Sequence, residues 1–381
     1  MANMMDYLDW RGDLSFRESG FNEVDNLILA NVSYIELEGI VPGVGQKSAV
    51  TVREAANAYF MQHTEEEVEN GTSFIHLMPF LLKKMGESRR YGDAILSNYV
   101  NVIDLNKQQQ FSAMHITLDD KTTYVSFAGT DDTLVGWQED FNLSFQVVPS
   151  QIAAVDYVEK TTRGFTRKYR FGGHSKGGNL AIYAAAKCSK WVKRRILAIY
   201  NNDGPGFTEE MMKDPQYHET IEKVHYFVPE ATIIGVLLEH QGKYKIVGSS
   251  QKGIMQHDAL SWEVLGTHFA ERHERTVESV MFEDTFKEWL RGLDDERKKI
   301  FIAELFDSIR ATGAENLSEI GGSGLKGGIA LLKSLSKMGD ENKAVINKLL
   351  STFTNEYNKK VVLPILERIV PQVSGKNKKE E

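Results

Sequence analysis

The sequence predicts an α/β protein, with a mainly parallel sheet flanked by helices and a helical C-terminal extension. Three observations predict it. Short apolar runs alternate with helical patterns through the middle of the chain, and one serine sits in a glycine cluster between such a run and a helix. Beyond about Gly266, strand signals give way to long stretches rich in Glu, Lys and Leu. Strands that alternate with helices need crossover connections, which set the strands parallel and cover both faces of the sheet.

From Phe21 to about Tyr99, apolar residues recur at helical spacing, as in FNEVDNLILANVSYIEL and TVREAANAYFMQHTEEEVE. The aromatics Phe21, Tyr34 and Tyr59 read as core. FSAMHITLDD and KTTYVSFAG, joined at an Asp-rich turn, read as a hairpin. DDTLVGWQEDFNLSF then reads as a loop with Trp137 packed inward, and SQIAAVDYVEKTTRGF as a helix. KYRF, RILAIYNND, KVHYFVP and YKIVGSS supply four strands, and ATIIGVLL is a further short run of strand character. His268 and His273 fall in the helical pattern that follows, which GGSGLKGG interrupts at Gly321 to Gly328 before the chain ends in SGKNKKEE. The expected division is a sheet-bearing domain with its N-terminal helices over residues 1–265, a helical region over 266–370 and a disordered tail over 371–381.

Composition narrows the function classes. A formal net charge of −8 argues against general nucleic-acid binding, which wants a basic face. The single cysteine, Cys188, allows no intramolecular disulfide and suits a reducing compartment. The N-terminus has no basic stretch leading into an apolar one, and no apolar run reaches the roughly 20 residues that cross a bilayer. A soluble cytoplasmic chain without a transmembrane segment is the expectation. One cysteine and no H-E-x-x-H leave no metal site, and GSGLKG at Gly322 to Gly327 lacks the preceding strand that dinucleotide binding needs. No metal and no cofactor are expected.

The chemistry-bearing motif is Gly173-His174-Ser175-Lys176-Gly177, which fits G-x-S-x-G. An apolar strand precedes it and an alanine-rich helix follows. In that setting the motif forms a nucleophile elbow: the serine takes a strained turn, small residues on each side let helix and strand approach, and the hydroxyl stands at a helix N-terminus. The glycines clear space for one hydroxyl.

YVSFAGTDDTLVGWQEDFNLSF followed by GGHSKGGNLA resembles the class 3 (fungal-type) lipases of the α/β-hydrolase superfamily. Their pattern has an F-R-G-T/S strand end, a D-W…D-L segment and a GHSLGG elbow. DYLDWRGDLSF…FNEVDNLILANVSY resembles, more closely, a bacterial lipase-like family of undefined function, and that resemblance covers about Asp6 to Val264. The resemblance implies an α/β-hydrolase fold. Two departures stand out: Ala128 replaces the Arg of the lipase pattern, and Lys176 replaces its Leu. A lysine there would set a positive charge beside the nucleophile and weigh against a purely greasy triglyceride.

A serine hydroxyl needs a positioned base, and in this fold the chain order is Ser, acid, His. Among ten histidines, His257 follows the last strand of the sheet, in the loop where the fold delivers its base. His174 lies within the elbow but points away from the serine's direction, and His225 falls within a strand. Glu230 follows the preceding strand and matches the D-x-V-P segment of the resemblance; it is favoured as the acid over Asp203, in DGPGF, one strand earlier. The oxyanion donors are the backbone N–H of Lys176 and, by the resemblance, Thr130. The expected activity is a serine hydrolase cleaving a small carboxylic ester or lipid-like acyl substrate through an acyl-enzyme. The alternatives are a non-catalytic binding or scaffold protein of the same fold, and an acyltransferase or thioesterase using the same residues.

Overall fold

A computed structural model of the chain describes residues 1–310, apart from 72, 74, 132 and 163. Helices α1 (Met4–Arg11) and α2 (Glu23–Val32) come first, then β1 (Val50–Thr51), α3 (Val52–Gln62), α4 (Glu65–Glu69) and α5 (Met78–Glu87). Strands β2 (Ile95–Asp104), β3 (Gln109–Thr117) and β4 (Thr122–Phe127) follow, then α6 (Leu134–Asn142) and α7 (Pro149–Thr161). Next come β5 (Lys168–His174), α8 (Lys176–Lys187), α9 (Lys190–Lys193) and β6 (Ile196–Asn202). Helices α10 (Glu209–Met212) and α11 (Pro215–Ile221) lead to β7 (Val224–Pro229) and β8 (Tyr244–Val247). Short strands β9 (Val264–Leu265), β10 (His268–Phe269) and β11 (Glu271–Arg272) precede α12 (Val277–Arg291) and α13 (Asp295–Arg310).

One sheet runs in the order β1-β2-β3-β4-β5-β6-β7-β8-β11. Strands β1 to β4 pair antiparallel, β4 to β8 pair parallel, and β11 closes the far edge antiparallel to β8. Because the central strands are covered on both faces, they carry near-continuous apolar runs rather than alternation: Tyr124, Val125, Ser126 and Phe127 are all buried. One face packs on the N-terminal helices, with Tyr124, Ile116 and Leu96 meeting Leu27 and Ile28 of α2 and Leu81 of α5. The other packs Val125, Phe127 and Phe171 against Val158 of α7 and Leu180 and Ala184 of α8. This is an α/β architecture, with parallel central strands β4 to β8 and antiparallel edges between two helical layers.

Helix α2 is set by its cap and its polar face. Asn22 accepts the N–H groups of Val24 and Asp25, while Asp25 accepts the N–H of Asn22, a reciprocal capping box. Asp25 also takes both branches of a fully buried Arg90 guanidinium, at 2.8 and 2.6 Å, and the hydroxyls of Tyr7 and Tyr91. The next residue, Asn26, bonds Tyr124 Oη at 2.8 Å and Asn202 at 2.7 Å, which fastens the helix over β4 and β6.

Several expectations change. Ile95–Asp104 is a strand where the helical reading ran on to Tyr99; it carries a bulge between Ser97 and Val100 with Asn98 at φ 54°, and the bulge breaks the alternation that would mark it. The DDTLVGWQEDFNLSF segment is helical as α6, started by Thr133, whose hydroxyl accepts the N–H of Gly136. Ile234–Val236, within ATIIGVLL, is a 3₁₀ turn rather than a strand. Strands continue past Gly266, since β10 holds His268 and β11 lies just before His273, so neither histidine is helical. Two-residue strands carry too little pattern to be read from sequence.

The described helices beyond Gly266 pack on the body. Ser279 donates to the carbonyl of Thr232 at 2.5 Å, and Phe282 and Phe286 pack with Val236. Phe306 of α13 meets Phe141 of α6 edge-on at 5.7 Å between ring centroids. The glycine break at 321–328, the helical pattern to residue 370 and the tail at 371–381 lie outside the described residues.

Candidate active site

Strand β5 ends at His174 and α8 begins at Lys176, leaving Ser175 alone between them at φ 56°, ψ −135°. That region strains any residue with a Cβ, by about 1–3 kcal/mol, and is tolerated where the surroundings enforce it. The flanking glycines are the enforcement. A Cβ on Gly177 would stand 2.1 Å from the carbonyl oxygen of Phe127, and one on Gly173 would stand 2.3 Å from the carbonyl carbon of Gly177. A Cβ on Gly178 would meet Asn201 Oδ1 at 2.5 Å. The alanine-rich helix therefore lies directly against β4 and β6.

The β5–β6 register sets His174 beside Asn202, so the residues one step on, Ser175 and Asp203, stand level at the ends of neighbouring strands. Asp203 is buried and, like Ser175, takes a positive φ of 53°. Its Oδ2 lies 2.6 Å from His257 Nδ1, and its Oδ1 accepts the hydroxyl of Thr232. His257 reaches it from the 3₁₀ turn Gly253–His257. Trp262 Nε1 donates to the Gln256 carbonyl at 2.9 Å, and Gln256 Oε1 accepts the N–H of Ala231 at 2.8 Å, which pins that turn.

The carboxylate against His257 is thus Asp203 and not the favoured Glu230. Glu230 follows β7, one strand further from the elbow, and its side chain turns outward. It lies 3.8 Å from Arg272 Nε on the edge strand β11 and 3.5 Å from Gln256 Nε2. Strand position separates them: β6 pairs directly with β5 and ends level with the serine, whereas β7 pairs with β6 on its far side.

His174 acts between these groups. Its Nε2 lies 2.8 Å from the His257 carbonyl and its Nδ1 3.0 Å from Tyr34 Oη, and the two imidazoles are 4.6 Å apart. Burial holds His174 well below the ordinary imidazole range, so it is neutral: Nε2–H donates to His257 and Nδ1 accepts from Tyr34. The ring fixes the height of the His257 loop over the elbow. Tyr34, read from sequence as core, is buried but also touches the site; nothing in its local pattern marks that.

After β4, Gly129 lets the chain approach Ser175, since a Cβ there would lie 2.9 Å from Ser175 Cβ. The hydroxyl of Thr130 donates to Asp140 Oδ2 at 2.6 Å. The Lys176 side chain does not point to substrate. It is fully buried, with Nζ at 2.9 Å from the Gln110 carbonyl, 2.8 Å from Gln110 Oε1 and 3.0 Å from Glu139 Oε2. Glu139 also accepts the N–H and hydroxyl of Ser150 and the N–H of Gln110. Desolvation raises Asp140 to about 6, against the pull of Lys176 at 3.9 Å. Gln110, Glu139 and Asp140 escaped the sequence reading because a buried polar or charged side chain looks like any surface one until its partner is known. Trp137, on the same helix, is half-buried.

Among the described residues no cluster of three or more His, Cys, Asp or Glu side chains could hold a metal, and no helix is long and apolar enough to cross a membrane. The fold thus gathers Ser175, His174, Asp203 and His257 at one end of neighbouring strands, with His257 bonded to a buried carboxylate.

Solved structures similar to this chain include the native Rhizomucor miehei lipase propeptide complex, at 17% identity and TM-score 0.32, covering 42% of this chain and 58% of that one. M37 lipase is similar at 14% identity and TM-score 0.32, covering 55% and 68%. A fungal lipase–inhibitor complex is similar at 16% identity and TM-score 0.30, covering 52% and 76%. The chain thus spans less than two thirds of the length of the first of these. No curated protein is significantly similar to it. Residues 85–307 match the model of the family described as Mbeg1-like, a span of more than half the chain, and the chain belongs to that family.

Proposed function

We propose that the protein is a serine hydrolase of carboxylic esters. Ser175 attacks the acyl carbonyl while His257 takes its proton, and Asp203 holds the imidazole in the tautomer that presents Nε2. The oxyanion forms against the N–H groups of Lys176 and Thr130, the alcohol leaves with the proton from His257, and water then releases the acyl group by the same route. The observation that carries this reading is the 2.6 Å contact between His257 and Asp203, whose carboxylate ends the strand beside the elbow. Donors of this kind each contribute about 3 kcal/mol of transition-state stabilisation.

The test is labelling with a fluorophosphonate together with turnover of short p-nitrophenyl esters. Wild type labels and turns over; Ser175→Ala does neither. An unlabelled wild type, folded and monodisperse, would remove the enzyme reading and favour the scaffold alternative.

A further inference from the structure

The end of the sheet opposite Ser175 carries two aromatic rings held out to solvent among cations. Strand β5 runs from Lys168 to His174, which sets its first residue about 20 Å from the serine. At that end the loop between α7 and β5 meets the short helix α9. Phe165 is 89% exposed and Trp191 44% exposed, and their rings meet edge to face at 6.2 Å between centroids. Rings left in water gain nothing from the hydrophobic effect until a second surface covers them. The pair is also held in place. Gly164, at φ 90°, turns the chain just before Phe165. The buried Arg195 donates to the carbonyls of Gly164 at 2.6 Å, Thr162 at 2.8 Å and Trp191 at 3.2 Å, and its guanidinium lies 3.4 Å from the centre of the Trp191 ring. One side chain thus ties the loop to α9.

The surroundings are basic. Arg167, Lys168, Lys190 and Arg194 are exposed, and none of them forms an ion pair among the described residues. Helical spacing on α9 sets Lys190, Trp191 and Arg194 on one face, away from the buried Val192. A cavity of about 200 Å³ beside α9 is lined by Lys193, Arg194 and Lys223, with Glu219 as its acid. The neighbouring Glu159 is engaged by the N–H and hydroxyl of Ser189. The whole chain carries a formal charge of −8, so this excess of cations is a local property that orients one end of the molecule toward an anionic surface.

Protruding rings flanked by unpaired Lys and Arg match the layered chemistry of a bilayer surface. Aromatic rings settle at the level of the head groups, and cations near the surface are drawn to anionic lipids. We infer that this surface docks the protein on an anionic lipid bilayer, with Phe165 and Trp191 entering the head-group layer and Arg167, Lys168, Lys190 and Arg194 meeting lipid phosphates. Docking in this way keeps the Ser175 end of the sheet off the bilayer. The inference draws nothing from the serine-hydrolase reading.

The test is co-sedimentation of the full-length protein with vesicles of phosphatidylcholine alone or with about 30% phosphatidylglycerol, at about 0.1 M salt. Wild type partitions onto the anionic vesicles at least about tenfold more strongly than onto the neutral ones. Lys190→Gln with Arg194→Gln lowers that partitioning about 20-fold, and Phe165→Ala lowers it about fivefold. Lys107→Gln, which removes an exposed charge at the other end of the sheet, leaves it within about twofold. Vesicles carrying a brominated lipid quench the emission of wild type more than that of Trp191→Phe. No binding by the folded protein, equal binding to both kinds of vesicle, or anionic binding that the variants at this end leave unchanged overturns the inference. Ser175→Ala binds as wild type does, so failure here leaves the hydrolase reading standing.

Discussion

At the scale of single residues, the sharpest distinction is between two carboxylates. Asp203 is buried against His257, whereas Glu230 is partly exposed and faces Arg272. An orienting acid works by fixing a tautomer and stabilising the imidazolium, and its isosteric amide loses both functions while keeping the shape. Asp203→Asn is expected to lower kcat for an ester substrate by about 10⁴-fold with little change in KM. Glu230→Gln should stay within about threefold of wild type, because a partly exposed ion pair contributes little. Steady-state kinetics on the two variants settles which carboxylate serves. A large loss from Glu230→Gln with a small one from Asp203→Asn would reverse the assignment.

At the scale of elements, the link between α6 and α8 passes through one buried ion pair. Lys176 opens α8 and Glu139 lies in α6, and both side chains are fully buried. Removing one partner of such a pair strands the other charge away from water, at a cost of about 3–5 kcal/mol. Lys176→Met is therefore expected to destabilise the fold by about 3 kcal/mol, read as the shift in urea midpoint at constant slope. Adding Glu139→Gln should restore part of the loss, since the amide oxygen still accepts from Ser150 and the fully buried carboxylate is no longer charged, while Asp140 keeps its bond from Thr130. If the double variant were less stable than the single one, the pair would not be the source of the penalty. The same pair explains how the chain places a lysine directly after Ser175 with its charge turned inward.

At the scale of the whole molecule, buried imidazoles set the acid limit of stability. Desolvation pushes His115 down to about 3 and His240 to about 4, and His174 lies well below the ordinary range. Each value is depressed relative to an unfolded-chain imidazole near 6.5, so the folded state binds fewer protons in the interval between. Their contribution is whole above about pH 6.5 and is lost as the pH falls toward 4. Asp140 works the other way: its raised value of about 6 makes the folded state hold an extra proton, so it costs stability as the pH rises from about 4 to 6. His225 is lowered by burial as well and Asp258 raised by it, so four imidazoles outweigh two carboxylates, and the urea midpoint should fall from pH 7 to pH 5. Replacing His115 by Asn should flatten that slope by about one proton's worth. A midpoint that did not move between pH 7 and pH 5 would contradict the assignment of neutral buried rings.

Local chemistry was legible in the sequence because it acts over a few residues. The glycine frame of Ser175 announced a strand–turn–helix junction, and the apolar runs at β5, β6, β7 and β8 announced a parallel sheet. What was not legible depends on groups far apart in the chain. Strand β2 was hidden by its bulge, and β10 and β11 are too short to carry a period. Tyr34 looked like core until the fold brought it to His174 across 140 positions. The choice of Asp203 over Glu230 turned on which strand lies beside β5, and the direction of Lys176 turned on a buried partner in α6. The sequence by itself determined the bend that sets one serine apart between strand and helix, because steric exclusion around a turn is written in neighbouring residues. Only the tertiary structure decided which side chains answer it, because hydrogen bonds and buried charges choose partners through space.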